Sequence, residues 1–186
     1  QRKFYGVYPL KGKILNVKDV ANKKVEQTEE IANLKKIIGL ESGKKYTSSE
    51  SLRYGKILIM TDQDYDGSHI RGLLINVFHE LWHELITIPG FISYMATPIV
   101  KATKSNKVKS FYSQYEYEEW KKTPESVGWK TKYYKGLGTS TRDEAKEYFK
   151  TLNIIGYEYT KEKSDPAIEL AFNKSMADDR KVWLKS

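Results

Sequence analysis

The sequence predicts an α/β fold with a largely parallel sheet flanked by helices, and three observations carry that prediction. Strand-like and helix-like segments alternate along most of the chain. Lys56-Ile57-Leu58-Ile59-Met60 is a short continuous apolar run, the pattern of a strand covered on both faces. Residues 68–85 then set Ile70, Leu73, Leu74, Val77, Phe78, Leu81, Trp82 and Leu85 at near-3.6 spacing, the stripe a helix lays against a core.

The elements follow in order. Residues 4–20 hold two short β-like runs around Pro9 and Gly12. Residues 26–38 read as a helix with Ile31, Leu34, Ile37 and Ile38 on one face and Gly39 as its C-cap. Residues 41–51, rich in Ser, Gly and Lys, read as a surface loop. After the strand at 56–60 and the helix at 68–85 come strand-like runs near 92–101 and 107–112 and a helix near 114–122. A strand at about 129–134 leads into the loop Lys135-Gly136-Leu137-Gly138-Thr139-Ser140. Thr141 caps a helix running through Phe149, with Glu144 at the capping-box spacing. Asp165-Pro166 opens a last helical stretch.

With 186 residues the chain is long enough for one ordinary domain and a small appendage. It has no cysteine, which excludes disulfides and cysteine–zinc sites. No apolar run is long enough to cross a bilayer as a helix. The formal net charge of +8 suggests a polyanionic partner, nucleic acid first, although solvated surface lysines give the same sum. Gln1 leads directly into a β-rich run without an initiator methionine, and Trp183-Leu184-Lys185-Ser186 ends just after a helical pattern. The expectation is a piece of a longer chain.

Asp62, Asp64 and Asp66 follow the buried strand at alternate positions, so they share a face while the backbone stays extended. Ligand sites of open α/β sheets lie beyond the carboxyl ends of strands. Three carboxylates so close repel unless a cation neutralises them, and hard oxygen donors suit magnesium or calcium. A helix-capping acidic turn explains one of them, Asp66, but not three. An EF-hand loop fits Asp62, Asp64, Asp66 and Gly67 and then fails, because Ile70 and Leu73 occupy its ninth and twelfth positions.

Two further patterns compete. His79-Glu80-Leu81-Trp82-His83 matches the zinc-peptidase motif H-E-x-x-H. Its histidines fall roughly opposite the apolar stripe centred near Leu74, Val77, Leu81 and Leu85, and so are expected to face solvent. Ser42-Gly43-Lys44 lacks the remaining residues of a phosphate-binding P-loop.

Four segments together resemble one family. They are Tyr8-Pro9-Leu10-Lys11-Gly12-Lys13-Ile14-Leu15-Asn16-Val17, Met60-Thr61-Asp62-Gln63-Asp64-Tyr65-Asp66-Gly67-Ser68-His69-Ile70, Tyr133-Tyr134-Lys135-Gly136-Leu137-Gly138-Thr139-Ser140-Thr141 and Asp178-Asp179-Arg180-Lys181-Val182-Trp183-Leu184. In order and spacing they resemble the TOPRIM region of type II DNA topoisomerases. Gln63, Gly72-Leu73-Leu74-Ile75-Asn76 and Thr139-Ser140-Thr141 are similar to the eukaryotic and large-DNA-virus branch.

The resemblance implies a TOPRIM, Rossmann-like fold lacking its first strand and helix, with a core over 1–160 and a helical segment over 161–186 leading toward a winged-helix domain. It implies ATP-dependent cleavage, passage and resealing of duplex DNA by a homodimer, in the nucleus or, for a viral enzyme, at the host-cell replication site, which relieves supercoils and decatenates DNA. It implies metal ligation by Asp62, Asp64 and Asp66, with two Mg²⁺ ions in the full site. Lys135 and His69 join these as catalytic residues, and Lys13, Asn16, Lys24, Arg180 and Lys181 as DNA contacts. The family's glutamate ligand, its nucleophilic tyrosine and its ATP-binding domain are expected outside these 186 residues, as are its tower and coiled-coil domains. A non-enzymatic DNA-binding module of the same fold is the alternative, with the zinc peptidase behind it.

Overall fold

A computed structural model describes residues 4–134, 136, 138 and 140–185. Two compact units divide the chain. One comprises residues 1–56, 72–91 and 158–186, the other residues 57–71 and 92–157.

In the first unit, α1 (Asn22–Glu26) and α2 (Glu29–Ile38) replace the single helix expected over 26–38. Gly39 ends α2 in the left-handed conformation (φ 84°), returning its N–H to Lys35. Among the described residues no strand forms in 4–21. Ile14 and Val17 are buried there on irregular backbone, so their apolar character serves packing rather than a ladder.

The helix expected at 68–85 divides. α3 (Tyr65–Leu81) starts three residues earlier, and Trp82 breaks it (φ −145°, ψ 59°) before the short α4 (His83–Ile86). Trp82 is fully buried, its indole N–H donates to the Glu41 carbonyl (2.9 Å), and its ring packs on Phe78. These tertiary contacts override a period that the apolar spacing alone would carry through to Leu85.

In the second unit, β1 (Ile57–Ile59) pairs in parallel with β2 (Ile92–Met95). A second sheet is built from β3 (Val100–Lys104), β4 (Lys107–Phe111) and β5 (Lys130–Tyr133), with β3 central. α5 (Gln114–Lys121) lies between β4 and β5 in the chain, its N-cap Ser113 accepting from the Glu116 N–H. α6 (Arg142–Thr151) follows the glycine-containing loop, with both bonds of the expected capping box formed between Thr141 and Glu144. β6 (Ile154–Gly156) then adds to β2; it is three exposed residues long, too short for a periodicity to announce it.

The α/β class holds, but the sheet is not largely parallel. Among the described residues the β1–β2 pairing is parallel, while β2–β6, β3–β4 and β3–β5 are antiparallel. Alternation fixes the order of elements, not their direction. The two-residue link Ser105-Asn106, with Ser105 at φ 53°, leaves β3 and β4 no option but a hairpin.

The C-terminal region belongs to the first unit. α7 (Lys161–Phe172) starts four residues before Asp165, so Pro166 lies inside the helix rather than at its first turn. A 3-10 turn (Lys174–Met176) and α8 (Ala177–Trp183) follow.

Candidate metal centre and nucleic-acid interface

The acidic turn joins β1 to α3. Asp64 caps the helix: its Oδ1 accepts the Gly67 N–H at 2.7 Å, and its carbonyl accepts the Ser68 N–H. The capping role foreseen for Asp66 thus belongs to Asp64, and Asp66 lies in the first turn of α3. Gly67 is buried because the chain folds back on itself. A Cβ there would lie 2.0 Å from the Asp62 carbonyl oxygen.

Arg71, Tyr94 and Gln63 fix this turn, and sequence reasoning assigned none of them a structural role. Arg71 donates from Nη1 to Thr61 Oγ1 (2.9 Å) and from Nη2 to Ser68 Oγ (2.8 Å), and its guanidinium stacks 4.7 Å from the centre of the Tyr94 ring. Gln63 donates from Nε2 to the Met95 carbonyl at the end of β2 (3.0 Å). A long basic side chain one turn along a helix from an acidic loop is a usable signal for such a brace. The carbonyl partner of Gln63 leaves no signature.

Gly136 completes the centre. A Cβ on it would fall 2.3–2.5 Å from all three carboxylate atoms of Asp62, so the glycine backbone is seated directly against that carboxylate. The structure thereby brings together two motifs separated by about seventy residues. Lys135 lies outside the described residues. Asp62 is half-buried, whereas Asp64, Asp66 and His69 are exposed. Among the described residues, the aspartate trio does not bring three ligand atoms within 4.8 Å of one another.

The glycine-containing loop is clasped at both ends by one carboxylate. Glu144 accepts the Tyr134 hydroxyl on Oε1 and the Thr141 N–H on Oε2 (2.7 Å), with Lys132 Nζ 3.2 Å away. The Tyr134 hydrogen bond, with those from Thr141 and Lys132, outweighs partial burial and holds the Glu144 carboxyl down at about 2. Burial and the adjacent Glu144 carboxylate push the Tyr134 phenol up.

The expected DNA contacts all fall in the first unit. Asn16 and Arg180 meet at one place, the C-terminal turn of α7. Arg180 Nη1 donates to the carbonyls of Leu170 (2.8 Å), Ala171 (2.7 Å) and Asn173 (3.3 Å), and Asn16 Nδ2 donates to that of Phe172 (2.8 Å). Asn16 Oδ1 also accepts from the fully buried Asn76 (3.0 Å). Both residues therefore have structural work. Lys13 and Lys24 are exposed, and exposed Lys181 pairs with Asp178 (2.8 Å).

The H-E-x-x-H histidines do not face solvent. His79 is bound between Glu80 (Nδ1, 2.9 Å) and Asp165 (Nε2, 2.9 Å), and His83 Nε2 is 3.0 Å from the Tyr159 hydroxyl. The helical wheel misplaced them because α7 packs over the face that a lone helix would leave wet. Glu80 is engaged by Lys18 (2.9 Å) as well as His79, so the general base of a peptidase is not free.

The whole chain has relatives. Residues 1–92 match the Toprim domain family, and residues 95–186 match the C-terminal associated domain of TOPRIM. The chain is 51% identical to Arabidopsis thaliana DNA topoisomerase 2 over 98% of its length, and 54% identical to Homo sapiens DNA topoisomerase 2-beta over 97%. It spans 13% and 11% of those proteins. A crystal structure of the Plasmodium falciparum topoisomerase II DNA-binding, cleavage and re-ligation domain superposes with a TM-score of 0.91 at 48% identity. The match covers 99% of this chain and 26% of that one. The fold, the family matches and these identities agree: the chain belongs to the Toprim family, as the Toprim region of the DNA topoisomerase 2 type.

Proposed function

We propose that this chain is the metal-binding part of the DNA cleavage and resealing centre of an ATP-dependent type II topoisomerase. The observation that carries the reading is the seating of Gly136 against the Asp62 carboxylate, which joins the acidic turn to the Lys135-Gly136 motif. The donor set fits Mg²⁺. This ion binds through one or two carboxylates and keeps several waters or phosphate oxygens, so three converging aspartates are not required. Asp62 and Asp64 are the ligands, and Asp66 contributes through water or neighbouring contacts. When bound, Mg²⁺ would supply charge neutralisation at the scissile phosphate and the leaving 3′ oxygen.

The residues of this chain position and bind. Asp64 presents its carboxylate from the helix cap, where the Gly67 N–H orients it. Arg71 and Gln63 keep the turn from reorganising as a phosphate approaches. Lys135 supplies a cation beside the cleaved bond, and His69 orients the acidic loop. Lys13, Asn16, Lys24, Arg180 and Lys181 form the DNA-contacting surface, by phosphate contacts that are largely independent of sequence. The nucleophilic tyrosine, the ATP site and the remaining glutamate ligand come from elsewhere in a nuclear homodimer. By itself the chain neither cleaves DNA nor hydrolyses ATP.

The test is Mg²⁺-dependent relaxation of supercoiled plasmid by the intact protein. Asp62→Asn with Asp64→Asn is expected to lower it by about 100-fold or more while duplex binding persists. Unchanged relaxation by the double variant would overturn the assignment.

A further inference from the structure

A second group of metal-ligating side chains lies in the first unit, where none of the expected metal ligands is found. His79, His83 and Asp165 each offer a ligand atom, and these atoms all lie within 4.8 Å of one another. They are the group among the described residues that does so. The two histidine rings meet edge to face at 4.9 Å between centres. Asp165 Oδ1 lies 2.9 Å from His79 Nε2, and the Tyr159 hydroxyl bridges Asp165 Oδ1 (2.9 Å) to His83 Nε2 (3.0 Å).

We propose that His79, His83 and Asp165 form a binding site for a divalent transition-metal ion of the zinc type, structural rather than catalytic. Three features beyond proximity support it. Two imidazoles and a carboxylate are the donor set that zinc and cobalt accept, with a water as fourth partner. His79 has the outer support typical of a metal-bound imidazole. Its Nδ1 is 2.9 Å from Glu80 Oε1, and Lys18 holds that carboxylate at 2.9 Å, which aims Nε2 at the cluster. An open depression with a cavity volume of about 700 Å³ is lined by His79, Asp165, Lys161, Glu162, Pro166 and Glu169, giving an ion a way in. Both imidazoles would bind as neutral ligands, so uptake of the ion would release any proton carried by a ligating nitrogen. The ion would tie α3 and α4 to α7, and Glu80 orients a ligand instead of acting as a base.

The rival is a metal-free hydrogen-bonded network, and cobalt(II) separates the two. The intact, metal-stripped protein is titrated with Co²⁺ in excess Mg²⁺, which keeps the aspartate centre occupied. Visible absorption of four-coordinate cobalt is expected, saturating at one ion per chain and abolished by Zn²⁺. It should persist in Asp62→Asn with Asp64→Asn, and in Tyr159→Phe, which removes the bridging hydroxyl but no ligand. It should disappear in Asp165→Asn and in both His83→Ala and the size-conserving His83→Gln. Glu80→Gln should weaken binding by about 10-fold. No cobalt spectrum in the parent protein overturns the proposal, as does a spectrum unchanged in whichever His83 variant retains its circular dichroism.

Discussion

Gly136 lies so close to Asp62 that a methyl group on it would come within 2.3 Å of the carboxylate. The neighbour in the way is the tip of a side chain, which can rotate. Gly136→Ala is therefore expected to leave the protein folded while displacing Asp62. Mg²⁺-dependent DNA cleavage should fall by about 100-fold, the scale of a misplacement near 1 Å, while the melting temperature shifts little.

Gly67→Ala poses the opposite case. Its Cβ would meet backbone, the Asp62 carbonyl oxygen at 2.0 Å, and backbone cannot step aside. A loss of at least about 3 kcal/mol is expected in chemical denaturation. Comparable stability of the two alanine variants would contradict this difference in surroundings.

Glu144 predicts an acid-sensitive loop. Its carboxyl is held at about 2, against an ordinary 4.5, chiefly by the Tyr134 hydroxyl. A depressed folded-state pKa gives stability that is complete above about 4.5 and lost as pH falls toward about 2. Glu144→Gln should lower the melting temperature at neutral pH, and the gap to the parent protein should close across that window. A constant gap would mean that the charge plays no part.

Asn16 and Arg180 should show mixed phenotypes. Asn16→Ala removes the partner of the buried Asn76 amide, so it should cost about 1–3 kcal/mol in urea unfolding besides any effect on DNA. Arg180→Ala should likewise destabilise, by taking the donor from the carbonyls of Leu170 and Ala171 in α7 and of Asn173 just after it.

Lys24→Ala should be the clean counterpart. Lys24 is exposed on a short helix, so stability should stay within about 0.5 kcal/mol. The log–log salt dependence of DNA binding should lose about 0.9 of its slope for one phosphate contact. A flat comparison of slopes would remove Lys24 from the interface.

Much of this was legible in the sequence because it is local. Gly39 as a C-cap, Thr141 with Glu144 as a capping box, and the strands at 57–59, 107–111 and 130–133 depend on neighbours within a few residues. What stayed hidden depends on distant partners. Strand direction is decided by β2 and β3 choosing antiparallel neighbours. The break at Trp82 answers to a carbonyl forty-one residues away. His79 and His83 looked solvent-facing because a helical wheel contains no α7. The Asp62 centre was half legible: its carboxylates stand out by spacing, but nothing local shows that Gly136 must come against them.

The double hold of Glu144 on Tyr134 and Thr141 also makes the number of residues between them a specification. A loop anchored at one end tolerates an added or missing residue, because the free end slips. Here both flanking residues are held. Tyr134 is fixed to the sheet through Ile99, and Thr141 is fixed to the start of α6. One residue more or less must either release Glu144 or carry Gly136 away from Asp62. Insertions tolerated in the Ser-, Gly- and Lys-rich stretch at 41–51 should therefore be excluded here, although both segments read as polar, glycine-containing surface loops.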